Sequence, residues 1–384
     1  MDITRIKDIM DRCIGKHEET GASFVLTRDG EEVLKYSCGM ADLQSKTKMD
    51  ENTICRAFSC SKVATSVCVM MLVERGLLDI DWNVEWFIPE FSNPVYIRDG
   101  KEIPSRSVKI RDLLNMTSGV AYPGDGHEGI EGMNNLWGEL DYSIKAGKSL
   151  TTVEFAKKAG KCPLMFEAGH EWMYGSSADI LGALVEIISG QRFSEFMKEN
   201  LLEPLGMDDT AFYVPKEKAD RLAVLYENSG ENPKVFTGTN LCIYDVNEPP
   251  KFESGGAGLF STANDYSKLG AMLSNGGVYK GKRILGRKTI EFMSTNGLTS
   301  QQKTTFNWDA VKGYGYANLV RMLEDNNAAG SFASKGAFGW DGWTGTYLLC
   351  DPEQKLAVTV FVQRCGAGTT QLSRHIVNAV YSMI

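Results

Sequence analysis

Histidine is scarce: four residues in 384, at positions 17, 127, 170 and 375. None stands in H-E-x-x-H or pairs with cysteine in a zinc pattern, which excludes the common zinc sites and leaves ordinary surface or hydrogen-bonded histidines. The nine cysteines form no C-x-x-C pair, are odd in number and are irregularly spaced. That excludes a disulfide framework and reads as reduced thiols used as small core residues. G-x-S-x-G is absent, and with it the strand–turn–helix nucleophile elbow. So is G-x-x-x-x-G-K-[ST], the phosphate loop. The longest apolar run, Val63 to Val73, is far short of the ~20 residues of a membrane span. No apolar core of signal-peptide length opens the chain; Ile3, Ile6, Met10 and Cys13 instead recur at helical spacing. Positive charge is in deficit, since 41 Lys+Arg against 49 Asp+Glu gives −8, which argues against a nucleic-acid binder. These absences describe a cytoplasmic protein with no membrane span, with a longer exported precursor as the alternative.

What is present is an ordinary globular composition, 43% hydrophobic and 23% charged, long enough for two or three units of about 150 residues. Ala22–Tyr36 reads as a hairpin around Asp29-Gly30. Residues 59–77 read as a strongly apolar helix. Ile180, Leu184, Ile187 and Ile188 mark one face of a helix closed by Gly190. Another helix is expected over 263–275, two strands flank the turn DPEQK, and a last helix spans 371–383. Strands at both ends with helices between predict an α+β fold. Its mainly antiparallel sheet, flanked by helices, comes from 1–82 and 252–384, with a mostly helical region at 83–251 and a cleft at their junction.

S-x-x-K occurs three times, at Ser45–Lys48, Ser59–Lys62 and Ser300–Lys303. The first and last lie in polar runs. Ser59 alone opens a long apolar helix, where residues three apart share a face. There the helix dipole favours a developing alkoxide and disfavours an ammonium, and burial lowers a lysine's proton affinity further. The bland alternative is a helix cap beside a solvated lysine.

Two more stretches add weight. Glu171-Trp172-Met173-Tyr174-Gly175-Ser176-Ser177 presents a tyrosine at a helix start, suited to shuttling a proton between a serine and a leaving group. Phe338-Gly339-Trp340-Asp341-Gly342-Trp343-Thr344-Gly345 leads into a strand, and its glycines would let a substrate carbonyl reach backbone N–H groups. A packing aromatic and a Gly-rich strand entry are the bland readings.

In this order the three stretches resemble the serine β-lactamase-like superfamily of class C β-lactamases, D-Ala-D-Ala peptidases and their carboxylesterase relatives. The resemblance extends over most of the chain through IRDLLNMTSGV, PLGMDDTAFYVP, GGAGLFSTANDYSKLGAML and GWTGTYLLCDPEQKLAV. It implies a sheet-plus-helices fold with the site at the junction and an acyl-enzyme on Ser59. It further implies Lys62 as base, Tyr174 as proton carrier, and the backbone N–H groups of Ser59 and Trp343 as oxyanion donors. No metal or cofactor is implied. The second motif ends in Ser176 where relatives often have Asn, and Trp340-Asp341-Gly342 replaces a cation-led third motif. A tryptophan there removes the charge that receives a substrate carboxylate. A carboxylesterase, or acyltransferase, for neutral esters is therefore expected. Ser176, Trp340, Asp341, Gly342 and Tyr122 are expected to touch the small-molecule substrate, and Trp137 is a further loop candidate. The alternatives are a β-lactamase or D-amino-acid-specific peptidase and, more remotely, a non-catalytic ligand binder.

Overall fold

The computed structural model describes residues 3–384. Asp29 and Gly30 both take left-handed backbone, φ 52° and 85°, and so fold β1 (Gly21–Arg28) back onto β2 (Glu31–Asp42). β3 (Thr47–Lys48) extends that edge. Five more strands come from the far end of the chain: β4 (Tyr314–Ala317), β5 (Val320–Leu323), β6 (Phe338–Asp341), β7 (Tyr347–Asp351) and β8 (Leu356–Phe361). The order is β4-β5-β6-β7-β8-β1-β2-β3, and every neighbouring pair is antiparallel. The two ends of the sequence meet inside the sheet, where Ser23–Arg28 pairs with Leu356–Phe361.

Five helices pack on the sheet or on one another: α1 (Thr4–Gly15), α2 (Ser61–Glu74), α3 (Ser177–Ser189), α4 (Ala263–Ser274) and α5 (Gln371–Tyr381). Side chains of a strand alternate between faces, so β1 serves two cores. Ala22, Phe24 and Leu26 join Val358 and Val360 beneath Ile6 and Met10 of α1 and Ile376 and Val380 of α5. Val25, Ala357 and Phe361 face the opposite side, with Tyr266 and Leu269 of α4. Both faces being covered explains why β1 and β8 read as continuous apolar runs rather than alternating ones.

α2 is buried along its whole length from Ser61 to Leu72, as suits a central helix, and packs against α3 and β6. It begins two residues later than the apolar pattern predicts. Phe58 has φ 43°, and Ser59 lies in the tight turn Phe58–Cys60 that precedes the helix. Ser59 and Cys60 belong to that tighter turn, so α-helical bonding starts only at Ser61. Among the described residues no helix is long and apolar enough to cross a membrane.

Candidate active site

The turn carrying Ser59 is held from two sides. Cys55–Arg56 pairs with Phe260–Ser261, and the turn after β6 clamps the next two carbonyls. Thr344 Oγ1 donates to Arg56 O and Thr346 Oγ1 to Ala57 O, each at 2.7 Å. Gly342 makes that approach feasible: a Cβ there would stand 2.3 Å from Ala57 O and 2.2 Å from Thr346 Oγ1. The clamp brings Trp343 beside the Ser59 turn, its ring centroid 5.1 Å from that of Phe58. Among the described residues no backbone carbonyl accepts from the amide of Ser59 or of Trp343.

Lys62, one turn after Ser59 and the second residue of α2, is completely buried. Its Nζ donates to Ser59 Oγ at 3.1 Å, Tyr122 Oη at 3.0 Å and Gly256 O at 2.7 Å. Burial pulls its proton affinity from 10.5 down to about 7, against the opposing pull of Asp179. Asp179, in the first turn of α3, is also buried. One carboxylate oxygen accepts from Ser254 Oγ and the Gly256 amide, while the other has no partner. Burial raises the Asp179 carboxyl, an effect that Ser254 and Lys62 oppose.

Tyr174 is presented by the loop ahead of α3, where Gly175 bridges to Ala121. Its hydroxyl accepts from the Trp340 indole N–H at 2.9 Å and also meets the Ser59 hydroxyl. The rings of Tyr174 and Trp340 stack at 5.5 Å, and Lys62 Nζ lies 4.5 Å from the tyrosine ring centroid. Burial pushes the phenol well up, so it holds its proton across the physiological range.

Ser59, Tyr174, Trp340, Asp341 and Trp343 line one cleft of about 340 Å³. Three residues expected to meet substrate stand elsewhere. Ser176 is fully buried, donating to Ala121 O and accepting from the Trp137 indole, so it fastens the Tyr174 loop. Tyr122 turns its hydroxyl to Lys62, behind the nucleophile. Gly342 acts through its backbone, as above. Trp137 is buried against Phe155 and Phe252 instead of facing the cleft. Trp340 is itself almost wholly buried, its one polar atom spent on Tyr174. Sequence reasoning passed over Asp179, Trp308 and Arg321. Trp308, an exposed loop residue, covers Tyr174 at 5.3 Å, and Arg321 of β5 pairs with Asp341. Gly256, in the GGAG run, approaches Lys62 and Asp179 closely because it has no side chain.

The sheet, the central helix and this junction define a serine-hydrolase fold. Residues 6–380 match the model of the Beta-lactamase family, and the chain belongs to that family. Esterase EstB of Burkholderia gladioli is 27% identical over 394 residues, spanning 98% of this chain and 95% of its own. N-acetylmuramyl-L-alanine amidase of Bacillus subtilis is 25% identical, covering 90% of this chain and 77% of its own. Among solved structures, EstCE1, a hydrolase with promiscuous acyltransferase activity, superposes with TM-score 0.80 at 24% identity, over 98% of this chain and 97% of that one.

Proposed function

We propose that the protein is a carboxylesterase for neutral esters that works through an acyl-enzyme on Ser59. The observation that carries this reading is a buried lysine whose Nζ lies within hydrogen-bond distance of a serine hydroxyl. A neutral amine has two N–H donors and one lone pair. With the donors directed to Gly256 O and Tyr122 Oη, the lone pair is left for the Ser59 proton. Ser59 Oγ then attacks the ester carbonyl as Lys62 takes its proton. The amides of Ser59 and Trp343 receive the developing oxyanion. Tyr174 Oη passes a proton to the departing alkoxide and recovers one from Lys62. Water, entering by the reverse path, hydrolyses the acyl-enzyme. An alcohol in place of water makes the same step an acyl transfer, which fits the acyltransferase activity named for EstCE1.

The neutral-substrate reading is supported by Trp340 standing where a cation would receive a carboxylate, and by the nearby Arg321 being already paired with Asp341. The test is mass spectrometry after a fluorophosphonate probe, with 4-nitrophenyl esters assayed beside nitrocefin. An adduct on Ser59 that disappears in Ser59→Ala, with esters preferred, is the expected result. Nitrocefin turnover equal to that of esters replaces the reading with a β-lactamase or D-peptidase, in line with the amidase relative. No adduct and no turnover leaves a ligand binder.

A further inference from the structure

Arg321 is buried, yet it lines the same cleft as Ser59 and Tyr174. On β5 it stands opposite Gly339 of β6, so Asp341, two residues further, emerges on its face as a diagonal neighbour. Arg321 Nη1 donates to Asp341 Oδ2 at 2.7 Å, and Nη2 donates to Thr369 Oγ1 at 2.7 Å. The Thr369 hydroxyl in turn donates to Asp341 Oδ2. The rings of Trp340 and Tyr347 flank the guanidinium at 5.3 and 5.8 Å. Asp341 Oδ1 has no hydrogen-bond partner among the described residues. All three polar residues reach the cleft wall.

A guanidinium presents parallel N–H groups that suit a carboxylate, and a neighbouring hydroxyl completes such a receptor. A buried cation beside the nucleophile of a protein with net charge −8 is the natural seat for an anionic substrate group. That seat is already taken by a carboxylate of the chain. We propose that Arg321 and Thr369 form a carboxylate-binding subsite of the Ser59 cleft and that Asp341 fills it as an internal surrogate. The chain's own side chain thereby shuts out esters with an anionic acyl or alcohol group. This inference rests on the esterase reading and names the substrate class that the site rejects. Removing the charge of Asp341 leaves the guanidinium unpaired in a buried setting, where an incoming carboxylate restores the pair.

The experiment compares kcat/KM for 4-nitrophenyl hydrogen glutarate, an anionic ester, with that for neutral 4-nitrophenyl butyrate. It uses the wild type, Asp341→Asn, and Asp341→Asn combined with Arg321→Gln. In Asp341→Asn the anionic-to-neutral ratio is expected to rise about tenfold or more, the scale of a charge-assisted bidentate bond. In the double variant it is expected to fall back. An unchanged ratio in a folded Asp341→Asn overturns the proposal, and so does an equal rise in the double variant, which would reflect lost repulsion alone. Asp341→Ser replaces the Asn variant if that one fails to fold. Glutarate itself gives a readout free of turnover: it should raise the Tm of Asp341→Asn and leave the wild type unmoved. If the wild type turns over no ester, the esterase reading falls, while the glutarate shift still decides the subsite.

Discussion

At the scale of the residue, Lys62 governs the pH behaviour. Burial holds its amine neutral above about 7, and the base needed by Ser59 exists only in that form. The log of kcat/KM for a neutral ester is therefore expected to climb with pH and level off above an apparent pKa near 7. Tyr174 adds no falling limb in the neutral range, because burial drives its ionisation upward. A flat profile from pH 5 to 9 would remove Lys62 as the base. Stability carries the same signature. Folded, Lys62 releases its proton near 7; unfolded, it keeps it until 10.5. Between those values the unfolded chain binds the extra proton, so the stability contributed by this group rises with pH, by up to about 1.4 kcal/mol per unit. Denaturant unfolding of wild type and Lys62→Met at pH 7 and 9 should show the difference growing in favour of the wild type. Ser59, Lys62 and Tyr174 were legible because each sits in a short pattern whose chemistry is local. Arg321 and Asp179 were not, since an arginine in VRML and an aspartate in ADILG carry no sign of the partners that meet them across the fold.

Among the elements, the junction between β6 and the Ser59 turn is the sensitive one. Gly342→Ala places a Cβ against Ala57 O and Thr346 Oγ1, both held by the threonine clamp. The loop cannot yield without loosening the clamp that holds Trp343 beside the Ser59 turn. This substitution is expected to destabilise the protein by about 1–3 kcal/mol, in the range of an overpacked core site. It should also lower kcat more than it raises KM, since the oxyanion role proposed for the Trp343 amide is exercised in the transition state. Wild-type kcat with intact stability would separate the clamp from catalysis. The same junction shows why the helix start was misplaced by the apolar pattern. Periodicity reports which residues are buried, and it does not distinguish the tight turn at Phe58–Cys60 from the first turn of α2.

For the molecule as a whole, the pairing of β1 with β8 ties residues near the start to residues near the end at the middle of the sheet. We expect one cooperative calorimetric transition, and loss of folding when residues 356–384 are removed, because β1 then loses both its ladder partner β8 and the cover of α5. Two resolved transitions would show that the helical region folds apart. The chain by itself determined four of the sheet's eight strands, the hairpin at Asp29-Gly30, the buried central helix and the three motif stretches. Apolar periodicity, turn chemistry and helical spacing are properties of neighbours in sequence. Only the tertiary structure decided what each side chain faces. It turned Tyr122 to Lys62 and Ser176 to the Tyr174 loop, and it set Asp341 on Arg321. Those pairings join residues tens of positions apart, and burial and charge act on them through space, where the order of the chain carries no information.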